Sequence, residues 1–187
     1  EILHRLVGSE MCIRDRGVIP RVVADQRPIY NHRLSIDDAN ERLQGFYFPY
    51  HDKLKSLIKQ TEASFKKVIL LDCHSMPLSS VNLASKKDPV EIVLGDCFGR
   101  SCEHEIVVEL KTLLTEVGFK VSINNPFSGG FITKNYASPQ NNINVVQIEI
   151  LRSLYSHEKQ QIKNSEFAKI QKRLIDVIEE FIKRFAD

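Results

Sequence analysis

The residues of this chain that could carry chemistry begin with a histidine that follows a short apolar run. Val68–Leu71 has the length and branched side chains of a buried strand, and the polar residues Asp72-Cys-His-Ser75 come directly after it. Ligands of open α/β sheets bind at the loops after the carboxyl ends of strands. A neutral imidazole there can ligate a metal or exchange a proton near neutral pH. The stretch by itself equally allows His74 to be hydrogen-bonded at a strand end without a chemical role.

A second candidate is a carboxylate inside another predicted strand. Ile143–Ile150 reads Ile-Asn-Val-Val-Gln-Ile-Glu-Ile, which places Glu149 between two isoleucines. A buried, unpaired carboxylate is costly, and in a cleft its pKa rises towards the range of a general base. The alternative is that Glu149 faces solvent on a half-exposed strand.

The motifs of several enzyme classes are missing from the sequence. It has no Gly-x-Ser-x-Gly elbow for a serine nucleophile, and no P-loop or GxGxxG for nucleotides. Cys73 adjoins His74, but neighbouring strand residues point to opposite faces. A metal-assisted hydrolase, in which zinc polarises a carbonyl and a glutamate takes a proton from water, fits better. Such a site needs three protein ligands, and the residues supply only His74, without an HExxH motif.

The elements that must position these residues alternate between strands and helices. Strands are predicted near residues 68–71, 91–94, 119–123 and 143–150. The predicted helices begin at Ser35 with a capping box, at Ser101 and at Asn164, and Pro49 should kink or split the first. Gly118 should end the second helix. Alternation of this kind predicts an α/β fold.

The composition restricts the classes of protein to which the chain can belong. The 187 residues are 42% hydrophobic, which suits one domain. The 26 Lys and Arg residues nearly balance 24 Asp and Glu residues, so neither nucleic acid nor a membrane is an expected partner. The four cysteines lack the spacing of a disulfide framework, so reduced thiols and a cytoplasmic location are expected. No apolar run approaches the roughly 18 residues of a membrane span. The residues leave the oligomeric state open.

The first sixteen residues do not match the rest of the chain. Residues 1–16 show no clean period and no cap, and Gly8-Ser-Glu-Met-Cys-Ile-Arg-Asp-Arg16 resembles a translated sequencing adapter. An ordinary N-terminal strand or helix is the alternative. We expect residues 1–16 to be a non-native leader without a role in the fold, and residues 17–187 to form a single α/β domain.

Six blocks of residues, in order, resemble the N-formylglutamate amidohydrolase family. They are Ile19-Pro-Arg21, Tyr50-His51, Leu71-Asp-Cys-His74-Ser-Met-Pro, Leu94-Gly-Asp96 with Gly99-x-Ser-Cys, Asn125-Pro-Phe-x-Gly-Gly-Phe-Ile-Thr133 with Tyr136, and Gln147-Ile-Glu149-Ile-x-Arg152-x-Leu-Tyr155. The resemblance runs from about Gly17 to the C-terminus. Six blocks in order are far more specific than any one of them.

The resemblance implies a fold and a reaction. The fold would be carboxypeptidase-like: a mixed, mostly parallel sheet flanked by helices on both faces. The reaction would be hydrolysis of N-formyl-L-glutamate, a small N-acyl amino acid, to glutamate and formate in histidine degradation. His74 would be a zinc ligand and Glu149 the general base. Arg152 and Arg21 would bind substrate carboxylates through bidentate forks. Substrate-pocket residues would be Asn125, Gly130 and Thr133.

The chain also departs from the family pattern. Members of the family carry roughly another hundred residues in front, in line with ordinary domain sizes, including a Pro-His-Ser-Gly segment and the remaining zinc ligands. We therefore expect an N-terminally incomplete fold that binds zinc weakly or not at all and exposes sheet surface. Two other hypotheses stay open: a related zinc hydrolase of another N-acyl amino acid or peptide, and a metal-free domain on the same scaffold.

Overall fold

The computed structural model describes residues 18–22, 27–81 and 89–185 of the chain. It divides into two compact units, Glu1–Phe65 and Lys66–Asp187, and each is described by itself. The predicted leader, residues 1–16, lies outside the described residues. The prediction of a single domain over residues 17–187 stays a prediction. Among the described residues, no helix combines the length and the apolar character needed to cross a membrane.

A long, interrupted helix dominates the described part of the first unit. Helix α1 (Ile36–Arg42) continues through a π-helical turn (Leu43–Tyr47) into α2 (Phe48–Ser64). The predicted capping box is confirmed, because the Ser35 hydroxyl accepts from the Asp38 N–H at 3.0 Å and the Asp38 carboxylate accepts from the Ser35 N–H at 3.2 Å.

The interruption of this helix occurs where proline predicts it. The π-helical turn ends one residue before α2, and Pro49 lies in the first turn of α2. In an unbroken α-helix, the proline ring would clash with the carbonyl group four residues earlier. Proline and π-helical turns are both recognised causes of a break in an α-helix. The prediction that Pro49 splits the helix is therefore confirmed.

The second unit is built on a four-stranded mixed sheet. Its strands are β1 (Val68–Met76), β2 (Ile92–Gly95), β3 (Val121–Ile123) and β4 (Ile143–Leu151), in the spatial order β1-β4-β2-β3. The pairs β1–β4 and β2–β3 are parallel, whereas β2–β4 is antiparallel. Strands β5 (Ser156–His157) and β6 (Ile162–Lys163) form a separate antiparallel pair. Short 3₁₀ turns span Leu78–Ser80, Pro139–Asn141 and Arg152–Leu154.

In the described part of this unit, three helices accompany the sheet: α3 (His104–Glu116), α4 (Phe131–Tyr136) and α5 (Phe167–Phe185). One sheet face packs against α3 and α5 in the main apolar core, whose fully buried members include Ile92, Leu94, Ile106, Leu110 and Val146. The alternate residues of β1 and β4 point to the other face. The prediction of a mixed, mostly parallel sheet with flanking helices is confirmed.

The start of α3 differs from the sequence prediction. The helix begins at His104 with Glu103 as its N-cap, so the prediction of Ser101 as N-cap is wrong. Ser101 is buried, and its hydroxyl donates instead to the Val145 carbonyl of β4 at 2.9 Å. The amide side chain of Asn144 accepts from the Glu103 N–H at 2.8 Å. A strand that is distant in sequence therefore supplies the cap.

The end of α3 follows the sequence prediction and is reinforced by α5. Gly118 adopts φ +88°, a left-handed conformation that glycine adopts without strain. The Arg173 guanidinium of α5 donates to the Val117 carbonyl at 2.6 Å and lies 3.8 Å from the centre of the Phe119 ring. At the beginning of α5, the Asn164 side chain accepts from the Glu166 N–H at 3.0 Å.

An ion pair before β1 predicts an acid-sensitive contribution to stability. Lys67 donates to Glu103 at 2.6 Å, and this hydrogen bond is the main reason why the pKa of Glu103 lies below its ordinary value of 4.5. Because the folded-state pKa is depressed, the pair stabilises the fold above about pH 4.5 and loses this effect as the pH falls through the folded-state pKa. Both side chains are about one-third exposed, so we expect less than about 1 kcal/mol.

The measurement is urea denaturation of the wild type and Glu103→Gln from pH 7 to pH 3. The variant should be less stable at pH 7 and should lose less stability on acidification. Glu105→Gln, at an exposed position in the first turn of α3, is the control. Identical pH dependence in wild type and Glu103→Gln would contradict the prediction.

Candidate active site

The structure brings His74 and Glu149 together on neighbouring strands. Strand β1 extends to Met76, so His74 lies within the strand, and its predicted position in a loop after Leu71 is wrong. In the parallel β1–β4 pair, His74 is the register partner of Glu149. Register partners on adjacent strands project to the same face, with the strands about 4.8 Å apart. The two candidate residues therefore share one site, as both enzyme hypotheses require.

His74 is held by a carboxylate on its own strand. Its Nε2 lies 3.0 Å from Oδ2 of Asp72, two residues earlier and hence on the same face. This hydrogen bond is the main reason why the pKa of His74 is raised above 6.5. The contact fixes the ring and leaves Nδ1 as the second nitrogen. A carboxylate behind an imidazole is the usual setting of a metal-ligating histidine.

Glu149 is buried, so the alternative that it faces solvent is wrong. Burial raises the pKa of Glu149, while the charge of His74 and a hydrogen bond from Gln147 act in the opposite direction. Gln147 Nε2 donates to Glu149 Oε1 at 2.8 Å. The site thus holds a carboxylate whose pKa is shifted towards neutrality, the property of a general base.

Asp72 and Gln147 contact the two candidate residues, and the sequence patterns did not identify either of them. Each lies two residues before a candidate residue on the same strand, and the two are register partners of each other. Alternate residues of a strand share a face, so the pattern places Gln147 on the same face as Glu149. It would also have placed Asp72 on the same face as His74 if the predicted β1 had been extended through His74.

Arg152 follows directly on β4, in the 3₁₀ turn Arg152–Leu154. Its Nε donates to the Ser75 hydroxyl at 3.0 Å, and its Nη2 donates to the Ser75 carbonyl at 3.2 Å. These bonds tie the end of β4 to β1. The Arg152 charge also lowers the pKa of Glu149. Its predicted contact with a substrate carboxylate stays a prediction.

The loop before α4 lies over the same face as the Gln147 side chain. Gly95 of β2 is the register partner of Gln147, and a Cβ added to Gly95 would lie 2.6 Å from the Gly129 nitrogen. Gly129 itself adopts φ +117°, which L-residues rarely adopt. The loop backbone therefore approaches β2 of the same chain closely.

The three predicted pocket residues belong to this loop and to α4. The carbonyl of Asn125 accepts from the Ser122 hydroxyl. Thr133 is fully buried; its hydroxyl donates to the Gly130 carbonyl at 2.9 Å and accepts from the Cys97 thiol at 3.5 Å. These contacts stabilise the loop beside the site. The roles of Asn125, Gly130 and Thr133 in substrate binding stay predictions.

Arg21, the second predicted carboxylate-binding residue, belongs to the first unit. It is exposed, and its carbonyl accepts from the Ile29 N–H at 2.9 Å next to an isolated bridge between Val22 and Pro28. Its role also stays a prediction.

The donor atoms of the described residues fit zinc at one coordination position. His74 with Asp72 behind it has the chemistry of a zinc ligand and its orienting group. Within the described ranges, no group of three or more His, Cys, Asp or Glu side chains could hold a metal ion. The location of the remaining ligands in a preceding part of the protein stays a prediction.

Comparison with known proteins relates this site to characterised enzymes. Over 146 residues the chain is 27% identical to N-formylglutamate deformylase of Pseudomonas aeruginosa, and over 145 residues it is 28% identical to the Pseudomonas putida enzyme of that name. Each alignment covers 76% of this chain and 54% of the relative. The chain thus spans about half the length of the curated relatives it matches.

Solved structures and a family model agree with these relatives. The crystal structure of N-formylglutamate amidohydrolase from Ralstonia eutropha JMP134 superposes with a TM-score of 0.81 at 31% identity, over 94% of this chain and 65% of that one. An Agrobacterium tumefaciens protein shares the fold, with a TM-score of 0.64 at 20% identity, over 98% of this chain and 69% of that one. The N-formylglutamate amidohydrolase family model matches residues 8–156. As its six sequence blocks predicted, the chain belongs to the N-formylglutamate amidohydrolase family.

Proposed function

We propose that the chain forms part of a zinc-dependent amidohydrolase that converts N-formyl-L-glutamate to L-glutamate and formate. The observation that carries the proposal is the register pairing of His74 with the buried Glu149 on the central strand of the sheet. The names of the Pseudomonas relatives and of the Ralstonia structure supply the substrate. We also propose that the reaction belongs to histidine degradation and takes place in the cytoplasm. The free thiols of Cys73, Cys97 and Cys102 support the proposed location.

His74 would hold zinc through the nitrogen that does not face Asp72, with further ligands from outside the described residues. When bound, zinc supplies Lewis acidity that polarises the formyl carbonyl. The Asp72 carboxylate keeps the imidazole in one orientation, which strengthens its role as a ligand.

Glu149 performs the proton transfers. Its carboxylate takes a proton from the attacking water while the water oxygen forms a bond to the formyl carbon. The same proton then passes to the amide nitrogen as the C–N bond breaks. The hydroxyl proton left on the formyl carbon's oxygen passes to the released amine, so the products are formate and the ammonium form of glutamate. Burial favours this role, because it raises the pKa of Glu149 and keeps bulk water from competing for its oxygens.

The arginines and the loop would recognise the substrate. N-formyl-L-glutamate carries two carboxylates, and the planar guanidinium groups of Arg152 and Arg21 match carboxylate geometry. Arg152 lies at the end of β4, three residues beyond Glu149, so a bound carboxylate there would be close to the base. Asn125, Gly130 and Thr133 would shape the pocket on the side of the loop that contacts β2.

A formate-release assay with a set of substrates tests the proposal. The complete translation product of the gene, loaded with zinc, should release formate from N-formyl-L-glutamate faster than from N-formyl-L-leucine, and N-acetyl-L-glutamate should release acetate slowly or not at all. Removal of zinc with a chelator should abolish the activity, and added zinc should restore it. Preference for another N-acyl amino acid would favour the related-hydrolase hypothesis. Absence of zinc and of any hydrolysis would favour a metal-free domain.

A further inference from the structure

Gln147 is a buried polar residue in the middle of the sheet. It lies on β4, which pairs with β1 on one side and β2 on the other, and only 6% of it is exposed. Its register partners are Asp72 and Gly95. Within the described ranges, its side-chain amide makes one hydrogen bond, from Nε2 to Oε1 of Glu149, at 2.8 Å.

The chemistry of Glu149 fixes the orientation of this amide. An ionised carboxylate can only accept hydrogen bonds, so the NH₂ end of Gln147 must face Glu149. The carbonyl end, Oε1, then points away from it. Among the described residues, this oxygen has no hydrogen-bond partner and is buried.

A buried acceptor without a partner destabilises the fold, whereas an apolar side chain of the same shape would not. Most buried polar atoms are paired, and an exception calls for an explanation. The one bond that Gln147 makes is to the residue assigned as the general base, which points to a role for Gln147 in the function of that base.

The same arrangement of hydrogen bonds occurs on β1 and on β4. Asp72 bonds to His74 on β1, and Gln147 bonds to Glu149 on β4, in each case from two residues earlier on the same strand. Because Asp72 and Gln147 are register partners, they lie side by side on neighbouring strands, as His74 and Glu149 do. Both are held by a strand backbone that is hydrogen-bonded into the sheet, so they are rigid.

We propose that Gln147 is a positioning residue that holds the Glu149 carboxylate in the orientation required for proton abstraction. Its bond occupies Oε1 of Glu149, so Oε2 is the oxygen that faces the water. This inference rests on the proposed amidohydrolase function. The role is positional, since the Gln147 amide acts through its hydrogen bond to Glu149.

Substitution of Gln147 by methionine tests the proposal in the complete, zinc-loaded protein. Gln147→Met keeps the volume of the side chain and removes both its donor and its orphaned acceptor. We expect kcat for formate release to fall about 10- to 100-fold, the equivalent of one hydrogen bond to a charged group. KM should stay unchanged, because the substrate is not contacted. The deciding quantity is kcat, because the melting temperature gains from removal of the orphaned acceptor and loses from removal of the donor to Glu149. Val145→Ala, on the same face of β4, is the control and should lower the melting temperature without changing kcat.

A purely structural role for Gln147 makes the opposite prediction. In that case Gln147→Met would lower the melting temperature and leave kcat at the wild-type value, which would overturn the proposal. Should Gln147→Met fail to fold, Gln147→Leu, which also removes the NH₂ donor and adds no charge beside Glu149, decides by the same kcat criterion. Normal kcat in either variant, beside an inactive Glu149→Gln, refutes only the positioning role. A wild type that releases no formate refutes this role and the proposed function together.

Discussion

Replacing Glu149 with glutamine should lower kcat for formate release about 10²- to 10⁴-fold, the usual contribution of a positioned general base. Glutamine has nearly the same shape as glutamate but cannot accept a proton from water. The residue is buried next to His74, so bulk water has poor access to replace the lost base. The measurement is a kcat and KM determination on the complete, zinc-loaded protein, with formate quantified by a coupled dehydrogenase.

The stability of Glu149→Gln separates this effect from unfolding. Burial raises the pKa of Glu149 above its ordinary value of 4.5, so the folded protein binds this proton more tightly than the unfolded chain. Ionisation of Glu149 therefore lowers the stability of the fold as the pH rises from about 4.5 through the folded-state pKa. A neutral amide at this position should keep or raise the melting temperature at pH 7. Glu116→Gln, at an exposed position of α3, should leave both quantities unchanged. A Glu149→Gln protein with wild-type kcat would exclude Glu149 as the base.

The second large effect is expected on metal binding. His74→Ala should lower zinc affinity by more than about 100-fold, because loss of a second-shell partner alone costs about 10- to 100-fold. Zinc retained after dialysis against a competing chelator, measured by plasma mass spectrometry, reports the change directly. Asp72→Asn keeps the ligand His74 but weakens its orienting partner, so the zinc affinity of this variant should fall about 10- to 100-fold.

The graded order of these two variants is the informative result. The predicted order of zinc affinity is wild type, then Asp72→Asn, then His74→Ala. His104→Ala, at an exposed position of α3, is the matched control and should keep the wild-type zinc content. Full zinc content in His74→Ala would show that this histidine is not a ligand, and the paired strands would then have to serve another chemistry.

Local features of the fold were determined by the sequence itself. The Ser35 capping box, the interruption at Pro49 and the left-handed Gly118 each depend on contacts within a few residues, and each is observed as predicted. The apolar runs also predicted β2, β3 and β4 to within two residues. Six ordered motifs identified the family. These signals are local in the chain, so the sequence alone suffices to read them.

The site itself depended on the tertiary structure. His74 is polar, and the apolar run before it ends at Leu71, so no local pattern extends β1 through it; pairing with β4 does. The N-cap of α3 moved from Ser101 to Glu103 because Asn144 and Val145, about 40 residues later, bind the polar groups at its start. Asp72 and Gln147 acquire their roles only through strand register, which is a property of two segments in contact. The sequence thus determined which residues are candidates for the chemistry, and the sheet decided which of them meet and which residues contact them.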